Sequence, residues 1–190
     1  YAVGIDRKLV SPASTFLDVR TCFPAPGKQY CPVNYDGTFH GAVQARFALG
    51  NSYNIPAVRT ITLNGLPNFV EFANKMGLST ITDPDRYGLS LTLGGGEVKR
   101  IDMMGVYGAL SQLGQLKKTT SILKVTDSAG NILEEYQDIS KQAIQSEIAY
   151  LLTSILSDNK ARTPAFGPSS LLHLPPHVVA VKTGTSDNKR

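Results

Sequence analysis

Read for the spacing of its apolar and polar positions, the chain begins irregularly and becomes regular near Gly41. Residues 1–40 carry turn signals at Ser11-Pro12, Pro24-Ala25-Pro26-Gly27 and Tyr35-Asp36-Gly37, and Val3 to Val10 is too short and mixed to assign. From Ala42 to Leu49 the pattern predicts a short helix that buries Val43, Phe47 and Leu49 and ends at Gly50-Asn51. Pro56 suits the first turn of a second helix. Pro67 to Met76 reads as a third, with Phe69, Val70, Phe72 and Ala73 near one face and Gly77 as its stop. Asp83 to Asp85 reads as a loop, and Gly94-Gly95-Gly96 precedes a helix from about Val98 to Leu113. Ser121–Thr126 and Asn131–Tyr136 predict a β-hairpin across Asp127-Ser128-Ala129-Gly130. Ser140 is positioned to cap a helix from Lys141 to Ser157, whose stripe is Ile144, Ile148, Leu151, Leu152, Ile155 and Leu156. Asp158 to Arg162 closes that helix. A loop with Pro164, Phe166, Gly167 and Pro168 leads through Pro175-Pro176 to Val178-Val179-Ala180-Val181, a run expected to be a buried strand.

That last run ends in Lys182-Thr183-Gly184-Thr185-Ser186. On an edge strand this order has a chemical use. Lys182 supplies a cation, and Thr183 and Thr185 supply hydroxyl donors. Gly184 leaves room for a ligand backbone. An anionic peptide end could add there as an extra strand. The plain alternative is an ordinary strand ending in a polar turn. Ser52 and Asn54 lie at the joint between the first two helices, where two polar side chains could enter a cleft; the alternative is a helix cap. The glycine triplet lacks the strand-then-GxGxxG context of a phosphate loop and reads as a tight turn. His40, His173 and His177 do not fall at metal-ligand spacing and read as surface or packed histidines.

Composition narrows the classes. The 190 residues carry a net charge of +4, a hydrophobic fraction of 42% and a pI near 9.1. The length suits one domain or part of one, and no apolar run approaches the roughly 18 residues of a membrane span. The basic residues are scattered and lack aromatic interleaving, which argues against a nucleic-acid site and is compatible with an anionic envelope polymer. Cys22 and Cys31 share one Pro-rich loop; they could pair in an oxidising compartment or stay free thiols. Both ends read as cuts, because the chain opens at Tyr1 without methionine and stops at Arg190, soon after the Lys182 strand.

Together, Ser52-x-Asn54 and Lys182-Thr183-Gly184 resemble the second and third motifs of the penicillin-binding, serine β-lactamase-like fold. Asn34-Tyr35-Asp36-Gly37-Thr38-Phe39-His40-Gly41 and Ala48 to Val58 are similar to the transpeptidase domain of class A penicillin-binding proteins. So are Leu89 to Val98 and Ile155 to Asn159. The resemblance implies an α+β fold of that type, incomplete at both ends, with residues 1–190 forming one partial transpeptidase domain. It implies a bifunctional peptidoglycan synthase on the extracytoplasmic face, anchored by an N-terminal helix, that acts on stem peptides ending in D-Ala-D-Ala and binds β-lactams without a cofactor. Ser52 would be a proton shuttle and Asn54 a holder of the substrate amide. Lys182 would be the cleft cation, and Thr183, Gly184 and Thr185 the carboxylate and oxyanion site. The family's Ser-x-x-Lys motif, with nucleophile and base, is absent from residues 1–40, so the nucleophile is expected upstream. A same-fold hydrolase and a non-catalytic envelope scaffold are the alternatives.

Overall fold

One helix, α3 (Asn54–Asn64), touches most of its neighbours: α1 (Ala2–Asp6), α2 (Ala45–Gly50), α4 (Leu66–Lys75), strand β1 (Thr15–Asp18) and a 3₁₀ turn at Leu89–Leu93. The reason is in its sequence. Ile55, Val58 and Ile61 lie three apart and Pro56, Thr60 and Asn64 four apart, and all six are buried. Each fully buried Val or Ile side chain is worth about 1.5–3 kcal/mol. The two buried polar side chains donate within the helix, Thr60 Oγ1 to Pro56 O at 2.7 Å and Asn64 Nδ2 to Thr60 O at 2.7 Å. The structure, a computed structural model, describes residues 1–25, 27 and 29–185. Pro26 of one expected turn and Ser186 of the expected last strand lie outside the described residues.

The remaining elements are β2 (Gly41–Gln44), α5 (Arg100–Ser111), β3 (Gln115–Lys117), β4 (Lys124–Thr126), β5 (Ile132–Glu135), β6 (Ser140–Gln142), α6 (Ser146–Ser157) and α7 (Asn159–Phe166). Antiparallel pairs β1–β2, β3–β6 and β4–β5 form three two-stranded sheets among the described residues, so the architecture is mixed α+β. The core has three parts. Met76, Ala109, Ile144, Ile148 and Leu152 pack α5 and α6 together; Ile61, Val70, Ala73, Ile81 and Leu91 join α3 and α4; Val10, Phe16 and Ala45 close the N-terminal part.

The helix joint, the third helix, the glycine turn and the hairpin follow the sequence pattern. A side chain at Gly95 would strike the Ser90 backbone at 3.0 Å, and one at Gly96 would meet Leu91 and Ile81 at 2.5 and 2.9 Å, so these glycines serve close packing. Four expectations fail. Residues 41–44 are strand rather than helix, because they pair with β1, and α2 buries Ala45 and Ala48 while Phe47 is exposed. Residues 140–142 pair with β3, so Ser140 is no cap and α6 begins at Ser146, although Ile144 is still buried ahead of it. Residues after Asp158 form α7, because the Asp158 carboxylate accepts from Ala161 N at 3.1 Å and caps it. The run Val178–Val181 is neither buried nor a strand: Val178 is 87% exposed, and among the described residues no strand lies beside it. An apolar run becomes a strand only where a neighbour supplies a ladder.

Candidate active site

Helix α2 closes at Ser52 by a backbone device. Ser52 has φ of +60°, Ser52 N–H donates to Leu49 O at 3.2 Å, and Tyr53 N–H donates to Ala48 O at 3.0 Å. This pair of bonds is the Schellman closure, whose left-handed residue is usually glycine or asparagine. Serine there costs about 1–2 kcal/mol, and such strain persists where the surroundings over-determine the backbone.

They do so from both sides. Before Ser52, the buried Asn51 side chain donates to Phe47 O at 2.9 Å and Ala161 O at 2.8 Å and accepts from Ala165 N–H at 2.8 Å, which ties α2 to α7. The two helices approach closely, since a Cβ on Gly50 would lie 3.3 Å from the Ala161 backbone. Arg46 adds an ion pair to Asp158 at 3.1 Å. After Ser52, the Tyr53 ring stacks on His40 with centroids 3.9 Å apart and planes 13° from parallel. Burial, together with the Asp36 and Asp18 carboxylates, raises the Tyr53 phenol above its ordinary range. Asn54 N–H donates to Asn34 Oδ1 at 2.7 Å, and Asn54 Nδ2 donates to Val33 O at 2.7 Å. Asn34 thus caps α3 from a distant loop; neither Ser52 nor Asn54 is a side-chain cap.

Lys182 reaches this joint across 130 residues of sequence, with Nζ donating to Ser52 Oγ at 2.7 Å. A second bond runs from Nζ to Thr183 O at 2.8 Å. The residue is exposed as a whole, yet its ammonium end is desolvated, and burial lowers its pKa below the ordinary lysine value. Because Ser52 Oγ accepts from the ammonium, its own proton is free to point elsewhere. The segment before it is anchored by Val181 N–H donating to Leu156 O at 3.0 Å. Buried Arg162 donates to the same carbonyl at 2.6 Å. Thr183 is half-buried, Gly184 and Thr185 are exposed, and a Cβ on Gly184 would meet nothing within 4 Å.

The structure therefore brings Ser52, Asn54 and Lys182 to one joint, with Thr183 to Thr185 running on from it. It does so on an open surface; cavities of about 460 Å³ (Met76, Ile101, Leu116, Ile139) and 370 Å³ (Phe16, Phe23, Arg59) lie elsewhere. The spacing Ser-x-x-Lys does occur at Ser121, Ser157 and Ser186, the last outside the described residues. Ser157 donates back within α6 to Thr153 O at 2.8 Å, and Ser121 is exposed beside the β4–β5 hairpin. Neither bonds to Ser52 or Lys182 among the described residues. Sequence reasoning did not single out Asp18, Asn51 or Arg162, and it set His40 aside. It left Cys22 and Cys31 open; they form a disulfide across an antiparallel bridge between Phe23 and Tyr30.

No family model matches the chain. Among curated proteins, it is 29% identical over 201 residues to penicillin-binding protein 1A of Clostridium acetobutylicum, across 100% of this chain and 24% of that protein. It is 30% identical over 189 residues to penicillin-binding protein 1C of Escherichia coli, across 98% of this chain and 22% of that protein. It thus spans about a quarter of the length of these relatives. Among solved structures, penicillin-binding protein 1A from Haemophilus influenzae aligns with a TM-score of 0.71 at 24% identity, over 85% of this chain and 28% of that one. The D,D-transpeptidase domain of a peptidoglycan glycosyltransferase from Eggerthella lenta aligns with a TM-score of 0.77 at 15% identity, over 98% and 51%. By sequence and by fold, these 190 residues belong with the penicillin-binding proteins and match part of the transpeptidase domain of that family.

Proposed function

We propose that the chain is part of a peptidoglycan D,D-transpeptidase that cross-links stem peptides by serine acyl transfer and binds penicillin in the complete protein. The observation that carries this reading is the 2.7 Å bond between Lys182 Nζ and Ser52 Oγ, which joins two motifs 130 residues apart beside Asn54. The nucleophilic serine and its lysine base belong to a segment upstream of Tyr1. That serine attacks the penultimate D-Ala carbonyl of a stem peptide; a C–O bond forms, the C–N bond breaks, and D-Ala leaves with a proton. An amine of a neighbouring stem peptide then attacks the ester; the C–N bond of the cross-link forms, the ester C–O bond breaks, and an amine proton returns to the serine oxygen.

The residues of the two motifs have separate roles in that reaction. The Ser52 hydroxyl accepts and donates, so it passes the proton between the upstream base and the leaving or attacking nitrogen. Asn54 holds the substrate amide. Lys182 keeps the cleft positive, which favours serine ionisation and attracts the terminal carboxylate; Thr183 and Thr185 bond that carboxylate. The Thr185 N–H is half of the oxyanion hole, a contribution of about 3–4 kcal/mol. Gly184 leaves the approach open. The reaction uses no metal or cofactor. The Cys22–Cys31 disulfide supports an oxidising location. We place the domain on the extracytoplasmic side of a bacterial membrane, held by an upstream anchor.

The test is covalent labelling. The full-length protein exposed to a fluorescent penicillin is expected to form one stoichiometric adduct. With a D-Ala-D-Ala peptide and an amine acceptor it should yield joined product and free D-Ala. The 190-residue chain alone should show no added mass on exposure to penicillin. No adduct in the full-length protein refutes acyl transfer, and products of water alone refute transpeptidation in favour of hydrolysis.

A further inference from the structure

We propose that Asp18, with His40 and Asn34, forms a positioning unit that holds Ser52 and Asn54 in working geometry; this rests on the function proposed above. Asp18 ends β1 and is 0% exposed. The β1–β2 register sets it opposite Gly41, which brings the preceding residue, His40, beside it. A buried carboxylate is costly unless donors surround it. One oxygen, Oδ2, meets three: Asn34 Nδ2 at 2.8 Å, His40 N–H at 3.0 Å and His40 Nδ1 at 2.7 Å. The other oxygen, Oδ1, has no partner among the described residues.

These acceptors fix the orientation of the groups around them. Asn34 Nδ2 faces both Asp18 Oδ2 and Thr38 O, the latter at 2.9 Å, so only its Oδ1 can turn to Asn54 N–H. His40 must carry a proton on Nδ1 to meet the carboxylate, which sets the plane of its ring, and Tyr53 stacks on that plane. Nε2 lies on the outer side of the ring, 3.1 Å from Asp36 Oδ2. The unit therefore grips the chain at Tyr53 and at Asn54, immediately after the left-handed Ser52. Asn51 holds the preceding side. Without the Asp18 unit, the side after Ser52 keeps only the Asn54 Nδ2 bond to Val33 O and the packing of α3. A misplacement near 1 Å can lower the rate of a positioned reaction about a hundredfold.

Two substitutions separate the parts of His40. His40→Asn retains an N–H donor near the Nδ1 position but loses the stack. His40→Phe keeps a ring against Tyr53 and loses the donor. In the full-length protein, single-turnover acylation by a fluorescent penicillin is measured as the acylation rate constant and the pre-covalent dissociation constant separately. Hydrogen exchange of the Asn54 amide is followed by NMR. We expect His40→Phe to lower the rate constant at least tenfold, to change the dissociation constant less than twofold, and to speed exchange at Asn54. His40→Asn, which keeps the donor and loses the stack, should recover part of the rate, to a value between those of His40→Phe and wild type. If His40→Phe does not fold, Asp18→Asn, whose neutral amide oxygen accepts more weakly from the same donors, is expected to show a smaller loss of the rate constant in the same direction. Equal rates across the variants overturn the proposal, and so does an equal loss in His40→Phe and His40→Asn. A wild-type protein that forms no adduct refutes the proposed function instead; unchanged Asn54 exchange in His40→Phe then overturns the positioning unit by itself.

Discussion

Replacing Ser52 by glycine and by alanine separates its backbone role from its chemistry. Both substitutions remove the hydroxyl, and with it the 2.7 Å bond from Lys182, so that loss cancels in the comparison. What remains is the residue's φ of +60°. Alanine keeps the left-handed penalty of about 1–2 kcal/mol. Glycine escapes it but loses about 0.4–1 kcal/mol through its freer unfolded chain. Ser52→Gly should therefore be the more stable of the two by roughly 0.5–1 kcal/mol, or about 1–4 °C in Tm for a domain of this size. The assay is urea unfolding followed by circular dichroism, compared at equal m so that the midpoint reports stability alone. Both variants should lose acylation alike, by about 10²–10⁴-fold if the hydroxyl moves a proton. Alanine matching or exceeding glycine in stability would refute the claim that the Ser52 backbone is strained. Retained acylation in either variant would refute the shuttle.

Other expectations follow from the same geometry. Lys182→Ala should slow acylation about ten- to a hundredfold or more, the value of a charge-assisted hydrogen bond at about 1.5–3 kcal/mol; Lys182→Arg should rescue only in part, because its planar fork does not fit a compact ammonium site. Lys141→Ala, exposed on β6, should leave the rate unchanged. Burial lowers the Lys182 pKa from 10.5, so the required ammonium form is lost as pH rises through a value below that. The alkaline limb of the acylation rate should begin below pH 10.5 and move upward in Lys182→Arg; a limb that does not move assigns it to another group. Replacing both Cys22 and Cys31 by alanine should lower stability by about 2–3 kcal/mol for a loop of this length, read by urea unfolding with and without reductant.

Much of the helical part was legible because its signals are local. Gly50-Asn51 and Pro56 mark the helix joint without reference to anything distant, and the joint is where Ser52 and Asn54 stand. Residues 41–44 misled because Val43 has the spacing of a helix face, and only pairing with β1 makes them strand. Val178 to Val181 misled in the opposite sense, since β-branched composition says nothing about whether a neighbour is present. Ser52 and Lys182 could be joined from sequence only through the family resemblance of their motifs. The groups that hold them had no such signal. Asp18 is one carboxylate in an irregular stretch, and its meaning appears only when the β1–β2 register sets it against His40.

The segment that ends in Lys182 has no ladder, and among the described residues a single backbone bond, Val181 N–H to Leu156 O, ties 178–185 to the body. Such a segment has its own opening equilibrium, separate from global unfolding. The Val181 bond is worth about 1 kcal/mol net and the charge-assisted bond from Lys182 to Ser52 about 1.5–3 kcal/mol, so on the order of 0.1–1% of molecules would have the segment open at any moment. The Val181 amide should then exchange with solvent orders of magnitude faster than the Asn54 amide, though the two belong to one site. Any rate that needs Lys182 beside Ser52 is multiplied by the closed fraction. A change far from the chemistry, such as removal of Arg162 from the Leu156 carbonyl, can thus alter activity through that population without touching a reacting group.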